Sequence, residues 1–124
     1  MNSNLDLSAI TEFQRKFAEE RNWNQFHTPK NLSTALSVEA AELMELFQWL
    51  TPEESAEVKN DPTKKAKASA ELADILYYTI RIADVMDVQL DEVFWEKMRE
   101  NATKYPVELA KGNAKKYTEL RTQQ

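Results

Sequence analysis

Three times in this chain a residue able to cap a helix stands directly before proline: Thr28-Pro29, Thr51-Pro52 and Asp61-Pro62. Each pair reads as a helix start. The capping side chain accepts a hydrogen bond from a first-turn N–H, and proline costs nothing at the first helical position because its missing N–H has no partner there. Composition closes off the alternatives. The 124 residues include one Gly and four Pro, too few for a fold built on many tight turns. No alternation of strand and helix patterns suggests a parallel sheet. The expected class is therefore all-α, a four-helix-bundle type. Its first helix is capped by Asp6 or Ser8 after a lead-in over residues 1–7 and runs to about Arg21. The second runs from Pro29 to about Trp49. A short acidic helix from Pro52 reads as a solvent-facing connector. The third runs from Pro62 to about Met86 and the fourth from Leu90 to about Lys104, where Tyr105-Pro106 ends it.

Length places the chain in one domain, 1–124, with a core over about 8–105 and a C-terminal arm or tail over 106–124. The 42% hydrophobic content supports a modest core. A formal charge of −5 argues against binding nucleic acid or a membrane surface. No apolar run approaches the roughly 20 residues of a membrane span. The start, MNSNLDLSA, lacks the charged and apolar regions of a signal peptide. With no Cys, a cytoplasmic location is expected.

The chemistry concentrates in two segments, VEAAELMELFQW (38–49) and AELADILYY (70–78). Each sets two carboxylates three residues apart in an apolar run, Glu39 with Glu42 and Glu71 with Asp74. On a helix such pairs share a face, with Cβ atoms about 5–6 Å apart. Two such helices side by side would bring four carboxylates together. Leu32, Leu36, Glu39, Leu43, Leu46 and Leu50 follow a buried-seam rhythm, and Glu39 stands in it where Leu is expected. Ala68, Leu72, Ile75, Thr79, Ile82 and Met86 repeat the rhythm, beside a polar row of Lys67, Glu71, Asp74, Tyr78 and Arg81. Carboxylates beside a core are costly and repel one another, which a cation would relieve. Hard oxygen donors suit Mg²⁺, Mn²⁺ or Ca²⁺. Thiolate sites are excluded, and with His27 the only histidine, so are the Glu-x-x-His pairs of di-iron bundles. The alternative is that acidic pairs simply face solvent, as is common on helices.

Other residues stand out singly. Glu45 continues the acidic series. Each step of three turns about −60° around the helix, which leaves Glu45 near Glu42 as a residue behind the ligands, a base, or a solvated side chain. Trp23 and Phe26 lie in the loop NWNQFHTPK, where they either plug the end of the core or offer a stacking platform for a nucleobase. His27, just before Thr28-Pro29, reads as a local hydrogen-bonding residue rather than a ligand. The basic turns TKKAKAS are either solvated or contact phosphate. Lys97 and Asn101 stand one turn apart on an otherwise core-facing side, a polar pair that a ligand could satisfy.

These motifs together resemble the MazG-like nucleotide pyrophosphohydrolases of the all-α NTP pyrophosphatase superfamily, and within it the dCTP pyrophosphatase branch. The hallmark is Glu-x-x-Glu followed downstream by Glu-x-x-Asp, here Glu39-Ala40-Ala41-Glu42 and Glu71-Leu72-Ala73-Asp74. AEERNWNQFHTPKNL, LFQW, ELADILYY, EKMREN and KYPVELAKGNAKKYTEL extend the likeness over roughly 12–120. The resemblance implies Mg²⁺-dependent cleavage between the α- and β-phosphates of a nucleoside triphosphate, with Mn²⁺ able to substitute. Glu39, Glu42, Glu71 and Asp74 match the metal ligands. Trp23, Trp49, Tyr78, Lys97 and Asn101 match positions lining the nucleotide pocket, joined by His27. At Gln14 the branch can carry a His near the base; Gln hydrogen-bonds but cannot become cationic, which puts base preference in question. The resemblance also implies a homodimer or a dimer of dimers, a homotetramer, with sites at subunit boundaries. The expected substrate is dCTP or a modified pyrimidine deoxynucleotide, in nucleotide-pool house-cleaning. Two alternatives remain at this point: a metal-dependent hydrolase of another phosphate anhydride or ester, and a non-enzymatic helical interaction protein.

Overall fold

A computed structural model of the chain describes residues 4–121. Among these residues every regular element is helical: α1 Leu7–Glu20, α2 Pro29–Glu45, α3 Pro52–Glu57 continued by a 3₁₀ turn at Val58–Asn60, α4 Pro62–Val85, α5 Leu90–Lys104, α6 Val107–Ala110 and α7 Tyr117–Arg121. All three cap-then-proline starts form. Thr28 caps α2, Thr51 caps α3 in a reciprocal box with Glu54, and Asp61 caps α4 by accepting from the N–H groups of Thr63 and Lys64. Asp6 caps α1. No described helix is long and apolar enough to cross a membrane.

α2 ends four residues before the expected Trp49. No glycine or proline stops it. Instead the last turn tightens: Leu46 N–H bonds to Leu43 O and Met44 O, Phe47 N–H to Met44 O, and Leu50 N–H to Phe47 O. Thr51 precedes Pro52 and is extended, as the proline ring requires, so the chain must leave the helix before it. The connector also differs from expectation. Val58 is buried, which ties the acidic segment to the core instead of leaving it wholly in solvent.

α1 and α4 end alike. Asn22 and Asp87 take positive φ, 55° and 56°. Trp23 N–H then reaches back to Ala18 O and Asn22 N–H to Glu19 O, while Val88 N–H reaches Ala83 O and Asp87 N–H reaches Asp84 O. These are Schellman closures made with Asn and Asp where glycine is the usual residue. Trp23 completes the first one by packing on Phe17, ring centroids 5.7 Å apart.

The chain divides into two compact units, Met1–Val88 and Gln89–Gln124. In the first, α4 packs along α2 and against α1. Its buried apolar residues are Ala18, Leu32, Val58, Ala68, Ile80 and Ala83, with Gln14 and Arg81 buried among the polar ones. The two predicted seams are only partly covered. Leu36, Leu43, Leu46 and Leu50 are half-buried, and Leu72 and Met86 are exposed. In the second unit, residues 91–100 of α5 are all exposed, Val93, Phe94, Trp95 and Met98 included. The side expected to face a core is thus not covered by the described residues of this unit. Lys104 binds Glu100 and sits over the Tyr117 ring.

Candidate functional site

Glu39 and Glu42 lie on α2 and Glu71 on α4, and the packing of these helices brings their carboxylates together. One oxygen from each lies within 4.8 Å of the others. The i, i+3 spacing on α2 gives the first pair and helix packing supplies the third. Glu39 and Glu71 are half-buried and Glu42 is exposed.

Proximity strains the charges. The Glu39 carboxyl is held above its usual range, first by a hydrogen bond with Glu71, then by burial and by the charges of Glu71 and Asp74. Glu42 is raised mainly by its hydrogen bond with Glu39 and by the charge of Glu39, with a contribution from Glu45. Crowded like charge thus favours the protonated forms of Glu39 and Glu42. Glu71 Oε2 is buried and has no hydrogen-bond partner. A buried acceptor of this kind costs on the order of 1–3 kcal/mol. Three hard oxygen donors, crowded like charge and an orphaned acceptor fit a divalent cation, which would relieve the repulsion and satisfy Oε2.

Asp74 is exposed and outside this group of three, although its charge acts on Glu39 and on Tyr78. Glu45 is exposed at the last position of α2, close enough for its charge to act on Glu42. Tyr78 is half-buried. Burial first, and then the Glu39 charge, hold its phenol above the usual value, which keeps it a neutral donor beside the carboxylates. Its ring meets Tyr77 edge-on at 5.1 Å.

The aromatic loop closes over the end of α1. Trp23 is 40% exposed and Trp49 87% exposed, so neither plugs the core. Phe26 is 58% exposed and does not plug it either. His27 hydrogen-bonds, but its side-chain partner is not local as expected: Nδ1 accepts from Arg81 Nε at 3.0 Å, 54 residues along the chain. Gln14 is buried inside α1's interface with α4, where Nε2 donates to Tyr77 O at 3.0 Å and Oε1 has no partner. Lys97 and Asn101 belong to the second unit. Lys97 is exposed and pairs with Glu100 on its own helix at 3.4 Å.

A second charged cluster did not stand out from the sequence. Arg81, 4% exposed, donates to His27 Nδ1, to Asn24 Oδ1 at 2.9 Å and to Asp84 Oδ2 at 3.1 Å. Asp84 is also held by Arg15 of α1, whose Nε donates to Oδ2 at 2.9 Å. The Arg15 hydrogen bond holds the Asp84 carboxyl below its usual range. A signal was available: Arg81 and Asp84 stand three apart inside the apolar stretch YYTIRIADV.

Comparison with known proteins gives a consistent answer. The family model described as the MazG-like family matches residues 34–120. The dCTP pyrophosphatase 1 of Bos taurus is 43% identical over 114 residues, covering 92% of this chain and 68% of that protein. Its Homo sapiens counterpart is 41% identical over the same share of this chain and 67% of its own length. The crystal structure of a pyrophosphatase from Archaeoglobus fulgidus superposes with a TM-score of 0.76 at 34% identity, covering 86% of this chain and 97% of the other.

Proposed function

The chain belongs to the MazG-like family, and from that membership we propose that it is a Mg²⁺-dependent pyrophosphohydrolase converting nucleoside triphosphates, dCTP or a modified pyrimidine deoxynucleotide foremost, to the monophosphate and pyrophosphate. It is a hydrolase acting on nucleotide anhydrides. The observation that supports metal dependence is the convergence of Glu39, Glu42 and Glu71, with Glu71 Oε2 buried and partnerless.

In this reading Glu39, Glu42, Glu71 and Asp74 hold the cation. Once bound, it supplies charge neutralisation for the phosphates and a more acidic water. The chain's own residues do the rest. Phosphoryl transfer depends chiefly on positioning and charge. Glu45, beside Glu42, takes the proton of the attacking water. Neutral Tyr78 donates a hydrogen bond to a phosphate oxygen. Trp23 and Trp49 stack on the base, each contributing on the order of 1–3 kcal/mol. Gln14, buried with one Nε2 hydrogen on Tyr77 O, keeps Oε1 and a second N–H as uncharged hydrogen-bonding groups. His27 supports the loop that carries Trp23. Lys97→Ala and Asn101→Ala are expected to raise KM for the nucleotide. The single domain 1–124 works as a homo-oligomer, a dimer or a dimer of dimers. The large apolar side chains left exposed, Trp49, Leu72, Met86, Phe94 and Trp95 among them, support that assembly, and light scattering on purified protein checks it.

The deciding experiment offers each common ribo- and deoxyribonucleoside triphosphate to the protein with Mg²⁺ or with EDTA and quantifies pyrophosphate and orthophosphate. Mg²⁺-dependent pyrophosphate release strongest with dCTP is the expected result. Release strongest with another base overturns the specificity. Orthophosphate as the product overturns the bond assignment.

A further inference from the structure

The chemistry above makes no use of Arg81, yet the fold goes to some length to bury it. A guanidinium removed from water needs its donors matched. Here one carboxylate and two neutral acceptors each take a hydrogen bond from a different guanidinium nitrogen. Both neutral acceptors, Asn24 Oδ1 and His27 Nδ1, come from the loop between α1 and α2. They flank the turn that Trp23 opens. The Trp23 carbonyl accepts from Phe26 N–H at 2.8 Å and from His27 N–H at 3.1 Å. The Trp23 ring lies 6.1 Å from the imidazole. On its other side Asp84 fixes Arg81 to α4 and, through Arg15, to α1. One side chain therefore ties the aromatic loop to both helices.

We propose that Arg81 is a positioning residue for Trp23: through Asn24 and His27 its guanidinium fixes the turn over residues 22–27 and so sets the indole face offered to the base. The inference rests on the reading that Trp23 stacks on the nucleobase. It carries a chemical condition. Arg81 has no acceptor, so His27 must present a bare Nδ1, with its proton on Nε2. A second proton at Nδ1 would set two cationic donors against each other. Arg81 from α4 is the charged group facing the imidazole. Asp84 stands behind it on the same helix, and Arg15 of α1 is bound to Asp84. Among the described residues no carboxylate pairs with His27. Burial and the Arg81 charge accordingly keep the His27 pKa below its ordinary value of 6.5. The clamp holds at neutral pH and lets go in acid.

Trp23 reports on this directly. In a Trp49→Phe/Trp95→Phe protein Trp23 is the only indole, and its acrylamide quenching is followed from about pH 8 to about pH 5, across the range where histidines titrate, beside far-UV ellipticity. Quenching is expected to rise in the acid limb while ellipticity holds. His27→Gln, which keeps an acceptor but cannot titrate, removes the transition. Arg81→Lys, whose ammonium cannot span three separated acceptors, shows at neutral pH the quenching that the unaltered loop reaches only in acid. In the protein with all its tryptophans, Arg81→Lys raises KM for the best nucleotide about tenfold, the scale of losing one stacked base, with kcat little changed. Trp23 quenching that ignores both pH and Arg81→Lys overturns the clamp. Where Arg81→Lys fails to fold, the pH arm and Asn24→Ala decide in its place, a flat profile in both being the overturning result. If Trp23 is released but KM stays put, the link to substrate is overturned while metal-dependent pyrophosphate release keeps the reaction itself intact. If no nucleotide is turned over at all, the functional reading fails separately.

Discussion

α4 carries two charged clusters that handle burial in opposite ways. Around Arg81 the charges are answered from within: Asp84, Asn24 and His27 meet its donors, and Arg15 meets Asp84. Around Glu71 they are not. Glu39 and Glu42 add like charge, and Glu71 Oε2 has no partner. The first arrangement holds helices and a loop in place. The second keeps its electrostatic cost in the folded state until something positive arrives. A chain that builds both on one helix shows that the acidic cluster does not reflect a lack of available cations, for the same helix matches charge with care where structure requires it.

The contrast can be broken by substitution. Arg81→Met removes a buried charge whose partners then lose their donor. Loss of one member of a buried pair costs on the order of 3–5 kcal/mol. The lower figure is expected, because Arg15 still holds Asp84, and urea unfolding measures it. The acidic cluster should respond in the reverse sense. Glu39→Gln, Glu42→Gln or Glu71→Gln is expected to lower kcat/KM by on the order of 10²–10³-fold, the scale of losing one electrostatic catalytic group, yet to leave the metal-free melting temperature unchanged or higher. A lower metal-free melting temperature in all three variants would make the carboxylates structural.

Mg²⁺ and pH sharpen the comparison further. Saturation at about 100 times Kd should stabilise the protein by about 2.7 kcal/mol, read as a thermal shift that EDTA reverses. The shift should grow with pH. Glu39 and Glu42 have raised pKa values when folded, so the folded state binds more protons than the unfolded chain across the carboxylate range. Metal-free stability therefore falls as pH rises through their folded pKa values, and the cation has more repulsion to relieve. Asp84 has the opposite sign: its depressed pKa contributes stability above the unfolded carboxylate range that is lost as pH falls through its folded value. The smallest effect belongs to Arg15→Ala. Its side chain is 63% exposed, solvent screens its pair with Asp84, and Arg81 still answers the carboxylate.

What could be read from the chain followed the range of the interactions. Thr28-Pro29, Thr51-Pro52 and Asp61-Pro62 announced their helices because cap and proline act on their own turn. The carboxylates of Glu39 and Glu42 were legible because i, i+3 neighbours must share a face. The end of α2 was not, since the turn from Leu46 to Leu50 contains no breaker and is set by a proline beyond it. Nor was the Arg81 cluster. Its partners His27 and Asn24 are 54 and 57 residues away, and Arg15 reaches Asp84 across 69, so only tertiary packing brings them together. Gln14 shows a third kind of limit. Sequence resemblance placed it by a base, while packing adds that its amide is buried and held by the Tyr77 carbonyl.

α4 runs unbroken from Pro62 to Val85, and Glu71 and Arg81 stand on it about 15 Å apart along the axis, at about 1.5 Å for each of ten steps. That separation is a fixed measure. A single residue inserted or deleted between the two would turn one cluster about 100° relative to the other, with every functional side chain still present in the sequence. Changes in length are therefore intolerable between Glu71 and Arg81. A lineage could exchange many of the residues in that interval but could not change their number.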